Sequence, residues 1–178
     1  MSHYLGSKML IYHQAQDINH CVYRLLLILE NSNQEQLSIE VYRLIDFYTL
    51  FPFLLKQIKP LPNSLRRLRN TFNDIEEPFE SLKNTKRILH ELERLQTITI
   101  QNLLAKNLLD KKAFEQGFLK RTEKGLSEKL DQELSSSRLS ANEWFKVLVE
   151  DFPNAKFLGR GGLKARTGMM EYRYDLEF

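Results

Sequence analysis

Cysteine is almost absent from this sequence: Cys21 stands alone among 178 residues. No disulfide can form within the chain, which excludes the cross-linked scaffolds of small secreted proteins. Glycine and proline are scarce, at 7 and 5, which argues against disorder and against a turn-rich β fold. Long apolar runs are missing as well. The longest, Leu25 to Leu29, is far short of the roughly 20 residues that span a bilayer. The first twelve residues lack the apolar stretch of a secretory signal, so a cytoplasmic protein is expected. What remains is ordinary globular composition, 42% hydrophobic and 28% charged, in a chain sized for one core or for two small lobes that share one.

Helical periodicity dominates. Val22, Leu25, Leu26 and Leu29 follow the i, i+3, i+4, i+7 rule, and Leu27 and Ile28 extend the apolar surface almost all round, which predicts a central helix. Ser38 is placed to cap a second helix carrying Val41, Leu44, Ile45 and Tyr48, which runs toward Pro52. Lys56 to Pro78 holds Pro60, Pro62 and Pro78 and reads as a connector with a short helix at Ser64 to Phe72. From Ser81 the stripes Ile88, Leu89, Leu92, Leu95 and Ile100, Leu103, Leu104, Leu108 flank β-branched Thr97 to Ile100, which predicts two helices and a break. Ala113 to Thr122, with Gly117 at its centre, reads as a small β-hairpin. The Ser140-Ala-Asn-Glu143 capping box opens a last helix that stops at Pro153, and Met169 to Leu176 alternates like an edge strand. The expected fold is mainly α, a helical domain with a small β-hairpin wing and a short C-terminal strand. It divides into an N-terminal helical part, 1–80, and a part with the wing and a basic tail, 81–178.

No constellation amounts to a catalytic site. His13, Asp17 and His20 beside Cys21 lack the partners that complete a metal sphere. Gly159-Arg-Gly-Gly162 lacks the phosphate-loop pattern. The carboxylate pairs Glu76/Glu77 and Glu91/Glu93 lie in charged stretches where nothing raises a carboxyl pKa. The expectation is therefore a binding protein without enzyme activity, metal or cofactor.

Two features point to what it binds. The net charge is only +3, yet Lys56, Lys59, Arg66, Arg67 and Arg69 fall in a stretch without acids, as do Lys156, Arg160, Lys164 and Arg166. Such runs attract phosphate or are simply solvated. The second feature is aromatic: Phe47, Tyr48, Phe51, Phe53 and Leu54 crowd around Pro52. They form either a docking surface for a partner or a continuation of the second helix into the core.

The segment Ile100 to Gly125, with an apolar helix end, a polar turn and a closing Thr122-Glu-Lys-Gly125, resembles the recognition helix and wing of winged-helix domains. The resemblance implies that Asn102, Lys106, Lys111, Lys112, Lys120, Arg121 and Lys124 cluster where they meet DNA phosphates, with Arg66, Arg67 and Arg69 in support. The alternative is a wing used only for protein contact.

Residues 12–52 carry another resemblance. Tyr12-His-Gln-Ala-x-Asp17, His20-Cys-x-Tyr-Arg24 and Asp46-Phe-Tyr-x-Leu-Phe-Pro52 resemble the middle component of ABC-three-component systems, which include Lamassu-type defence. That resemblance implies a noncatalytic subunit bridging an SMC-like ABC ATPase and an effector, often a nuclease, with nonspecific double-stranded DNA as a further partner within the complex. A stand-alone winged-helix regulator is the alternative.

Overall fold

The computed structural model describes residues 17–78, 82 and 84–169. Helix α1, Ile18–Asn31, starts where the Asp17 carboxylate accepts hydrogen bonds from the N–H groups of Asn19 and His20, at 2.6 and 3.3 Å. This is an N-cap, and it accounts for one of the ligand-type residues of the sequence. Leu25 to Ile28 are fully buried on four successive positions. A helix apolar all round must be enclosed, and α1 packs against four elements: α2 (Ile39–Leu50), α3 (Thr85–Ala105), α5 (Glu128–Ser135) and the π-helical turn Val147–Asp151. One hydrophobic cluster runs through both halves of the chain, from Leu25 to Leu163.

Ser38 caps α2 as expected, its hydroxyl accepting from Val41 N at 3.2 Å. Pro52 ends that helix, and the chain continues in two 3-10 segments, Pro52–Gln57 and Asn63–Phe72. The expected break in the next helix does not occur. Thr85 to Ala105 is one continuous helix of 21 residues. The propensity cost of a few β-branched residues is below about 1 kcal/mol each, and burial of Thr99 and Ile100 in the core outweighs it. Asn107, at φ 55°, ends α3. Leu108 N reaches back to Leu103 O at 2.9 Å and Asn107 N to Leu104 O at 3.0 Å, the pairing of a Schellman C-terminus with asparagine in the left-handed position.

The β element lies where the sequence predicts it, but with different partners. Residues 111–115 form a helical turn, α4 (Lys111–Glu115), capped by the Asp110 carboxylate on Ala113 N at 2.8 Å. On either side of it Leu109 bridges Arg121 in antiparallel sense, with Asp110 N on Lys120 O and Thr122 N on Leu108 O. Strand β2, Phe118–Leu119, pairs antiparallel with β1, Leu37–Ser38, in the register Leu37 to Leu119 and Ser38 to Phe118. The 118–122 stretch thus lies between the strand after α3 and the strand before α2. Gly117, at φ 85°, makes the turn into it.

The capping box is not used. Glu143 pairs with Lys146 at 2.6 Å instead of reaching back, and the Ser140 hydroxyl is buried without a hydrogen bond among the described residues. Helix α6, Glu143–Lys146, begins after Asn142 and widens into the π turn before Pro153. Pro153 has no N–H and its ring clashes with the carbonyl four residues back, so a regular α-helix cannot pass through it. Helix α7, Leu163–Thr167, follows the glycine-rich loop. The expected strand at 169–176 lies outside the described residues apart from Met169.

Candidate functional site

The most enclosed polar cluster ties three helices together. Asp46 of α2, with no exposed surface, accepts from Arg24 of α1 (Nε to Oδ1 2.6 Å, Nη2 to Oδ2 3.2 Å) and from Gln96 of α3 (Nε2 to Oδ2 2.8 Å). The carboxylate accepts only, so it sets the orientation of the Gln96 amide, whose Oε1 is buried without a partner among the described residues. Burial opposes the charge on Arg24, but Asp46 outweighs it and holds the guanidinium above its usual range. Cys21 and Tyr42 lie beside this pair, Sγ 4.0 Å from the phenol oxygen. Burial pushes the Cys21 thiol up, and the Asp46 charge adds to it. Burial likewise holds Tyr42 well above its ordinary value. A neutral, enclosed thiol is a poor nucleophile, so the cluster is a structural tie.

Gln96 and Thr99 were not singled out in the sequence. The available signal was two polar residues on the buried stripe Leu89, Leu92, Ile100, Leu103 of one helix. His13 lies outside the described residues. His20 lines an open cleft of about 480 Å³ with Asn19, Tyr23, Glu133 and Arg138. Among the described residues no group of three or more His, Cys, Asp and Glu is arranged to hold a metal.

The aromatic segment is mostly interior. Phe47, Tyr48, Phe51 and Leu54 are buried. Phe47 stacks at a tilt on Phe51, centroids 5.2 Å apart, and Tyr48 meets Phe152 edge-on at 6.2 Å. Of the five residues considered for docking, only Phe53 is half-buried at the surface. Phe47 and Tyr48 belong to the buried face of α2, and Phe51 and Leu54 continue that packing past its end.

The cations of the expected wing are divided. Lys120 pairs with Glu35, and Arg121 pairs with Glu30 at 2.9 Å while also donating to Leu108 O at 2.7 Å. Both acids belong to the α1–β1 region, so these two cations fasten the 118–122 segment to the body. The hydrogen bond from Lys120 lowers the Glu35 carboxyl. Lys124 Nζ donates to Lys106 O at 2.8 Å. Lys111 and Lys112 are exposed and make no ion pair among the described residues. The outward face of α3 presents Arg94, Ile98, Gln101 and Asn102, with Ile98 46% exposed.

The two acid-free basic stretches touch at one point. Arg166 of α7 donates from Nη1 to Pro60 O at 2.7 Å and from Nε to Gly161 O at 2.7 Å. Lys59 and Arg69 line a cleft of about 270 Å³ floored by Leu55, Ile58, Leu61 and Phe72. Arg66 and Arg67 are exposed on the same 3-10 segment.

A family model described as ABC-three component (ABC-3C) system Middle Component 5 matches residues 10–175. The chain belongs to this family. Middle Component 5 proteins are accessory components of multi-protein ABC-three-component defence systems, so this chain works with partner proteins. No match was found among curated proteins or among solved structures. Arg24 and Asp46, which sit in two separate stretches of the resemblance to middle components, face each other in the core. Among the described residues no helix is long and apolar enough to cross a membrane.

Proposed function

We propose that this Middle Component 5 chain is a noncatalytic adapter that bridges an SMC-like ABC ATPase, of the kind found in Lamassu-type systems, and a nuclease-type effector. The family supports the accessory role. The order of elements supports a winged-helix-like docking module: a helix, a short strand, a second helix, a long helix in the recognition position, and a β element closed by the strand after it.

The observation that carries the protein-binding reading is the surface of α3. A stand-alone DNA-binding regulator offers cations and amides to phosphates and base edges from this helix. Arg94, Gln101 and Asn102 of this face suit that use, but Ile98 is exposed among them, and Lys120 and Arg121 are held by the chain's own acids. Aromatic and aliphatic side chains ringed by polar ones suit a protein interface. The proposed docking surface is therefore the α3 face around Ile98, for a protein partner of the same system. Contact of DNA with the assembled complex is electrostatic and independent of sequence.

An affinity-tagged chain expressed from its native host tests this reading. It should bring down an ABC ATPase and a further component, and Ile98→Glu should lose at least one of them while melting like the parent. Recovery of neither protein, or an unchanged yield with Ile98→Glu, speaks against it.

A further inference from the structure

We infer that the 3-10 connector, and not the wing, carries the phosphate-binding site of this protein, and that its ligand is the sugar-phosphate backbone of a nucleic acid. The inference stands apart from the bridging role.

Of the wing cations, Lys120 and Arg121 spend their charge on Glu35 and Glu30, and since Arg121 is the only arginine between Lys106 and Lys124, the exposed cations left there are lysines alone. On the connector, Lys59, Arg66, Arg67 and Arg69 are all exposed and make no ion pair among the described residues. The acids nearest in sequence, Asp74, Glu76 and Glu77, lie beyond the helix, and Glu77 is taken by Lys56 at 2.8 Å. An exposed pair already satisfied within the chain must be broken before it meets a phosphate; an unpaired guanidinium need not be.

The fold then concentrates these charges. Arg66 and Arg69 are three residues apart on a 3-10 helix, so they project from one edge about 6 Å apart along the axis, the order of the gap between neighbouring phosphates on a strand. Arg69 shares its cleft with Lys59. The hydrogen bond from Arg166 to Pro60 O brings one cation of the second basic run to the same corner, while Lys164 of that run pairs with Glu40 at 3.2 Å. A cleft of about 270 Å³ lined by Lys59 and Arg69, by Lys56 in its pair with Glu77, and by apolar Leu55, Ile58, Leu61 and Phe72 has room for one phosphodiester and its sugar. Asn70 and Asn73, both exposed beside it, supply the neutral donors that commonly accompany arginine on a backbone. Arginine's planar fork suits phosphate oxygens.

The test is fluorescence anisotropy of the purified full chain with a short labelled DNA duplex across a salt series. Three double variants are compared, each first shown to melt like the parent: Lys59→Gln with Arg69→Gln, Arg66→Gln with Arg67→Gln, and Lys111→Gln with Lys112→Gln. The expected result is that each connector variant weakens binding by roughly tenfold per lost contact at ~0.1 M salt and flattens the log-log salt slope by about 0.9 per contact, while the wing variant binds like the parent. Equal losses from the wing variant, connector variants that bind like the parent, or no binding by the parent at low salt would each overturn the inference. Unlabelled polyglutamate serves as competitor. Displacement of the duplex as effective as that by unlabelled DNA would also overturn it, in favour of an acidic protein segment as the occupant.

Discussion

Arg24 on α1 and Asp46 on α2 form a two-point ion pair inside the core, at 2.6 and 3.2 Å, with Gln96 of α3 completing the carboxylate's partners. Removing one member of a buried pair leaves the other charge uncompensated, which typically costs ~3–5 kcal/mol. Asp46→Ala and Arg24→Ala should therefore each remove a large part of the chain's stability in urea. A loss below about 1 kcal/mol for both would show that the tie contributes little, since surface pairs fall in that range.

Phe51 and Phe53 flank the same proline and should behave differently. Phe51 is buried against Phe47, so Phe51→Ala should cost ~3–5 kcal/mol. Phe53 is half-buried, and Phe53→Ala should melt much closer to the parent. Thermal melting of the two variants, measured beside copurification with partners, checks this. Equal melting temperatures would contradict the placement of Phe51, and a partner lost only with Phe53→Ala would make Phe53 part of the docking surface.

The Cys21 thiol and the Tyr42 and Tyr48 phenols are all raised by burial. A raised value in the folded chain favours the neutral form, so these groups contribute full stability below their unfolded values and lose it as pH climbs toward the folded ones. Stability should therefore decline above about pH 8.5, where an unfolded thiol begins to ionise. Native Cys21 should label with a thiol reagent only as fast as the chain opens. Rapid labelling at neutral pH in the absence of denaturant would contradict the enclosed cluster.

Gly162 is required by space. A Cβ there would fall 2.2 Å from Phe157 O and 2.4 Å from Leu158 O, in the turn where Leu163 N bonds Lys156 O and Lys164 N bonds Phe157 O. Gly162→Ala should cost about 1–3 kcal/mol, the usual range for overpacking. Gly125→Ala, with nothing within 4 Å of its Cβ, is the control, expected within about 0.5 kcal/mol of the parent. Equal melting of the two would contradict the crowded turn.

Local signals were legible in this sequence, and pairings across the chain were not. The stripe around Leu25 marks α1 and the Ser38 hydroxyl marks the start of α2, because periodicity and caps act within a few residues. The break expected at Thr97 to Ile100 fails because weak propensity yields to burial of Thr99 and Ile100 in α3. The pattern of 113–122 suggests a self-contained hairpin because a local signal cannot reveal that Phe118 and Leu119 pair with Ser38 and Leu37 far upstream. Both basic runs were visible, but their meeting through Arg166 and Pro60 depends on the tertiary fold. Arg24 and Asp46 stood in two stretches of the sequence resemblance with nothing to say that they touch.

The bridging role is tested most directly by leaving this chain out. The ABC ATPase and the effector of the same system, purified separately, are mixed with and without it and examined by size-exclusion chromatography. One complex containing all three is expected with the chain present, two separate species without it, and loss of the joint complex with Ile98→Glu. An ATPase and effector that associate equally well in its absence would contradict the adapter function.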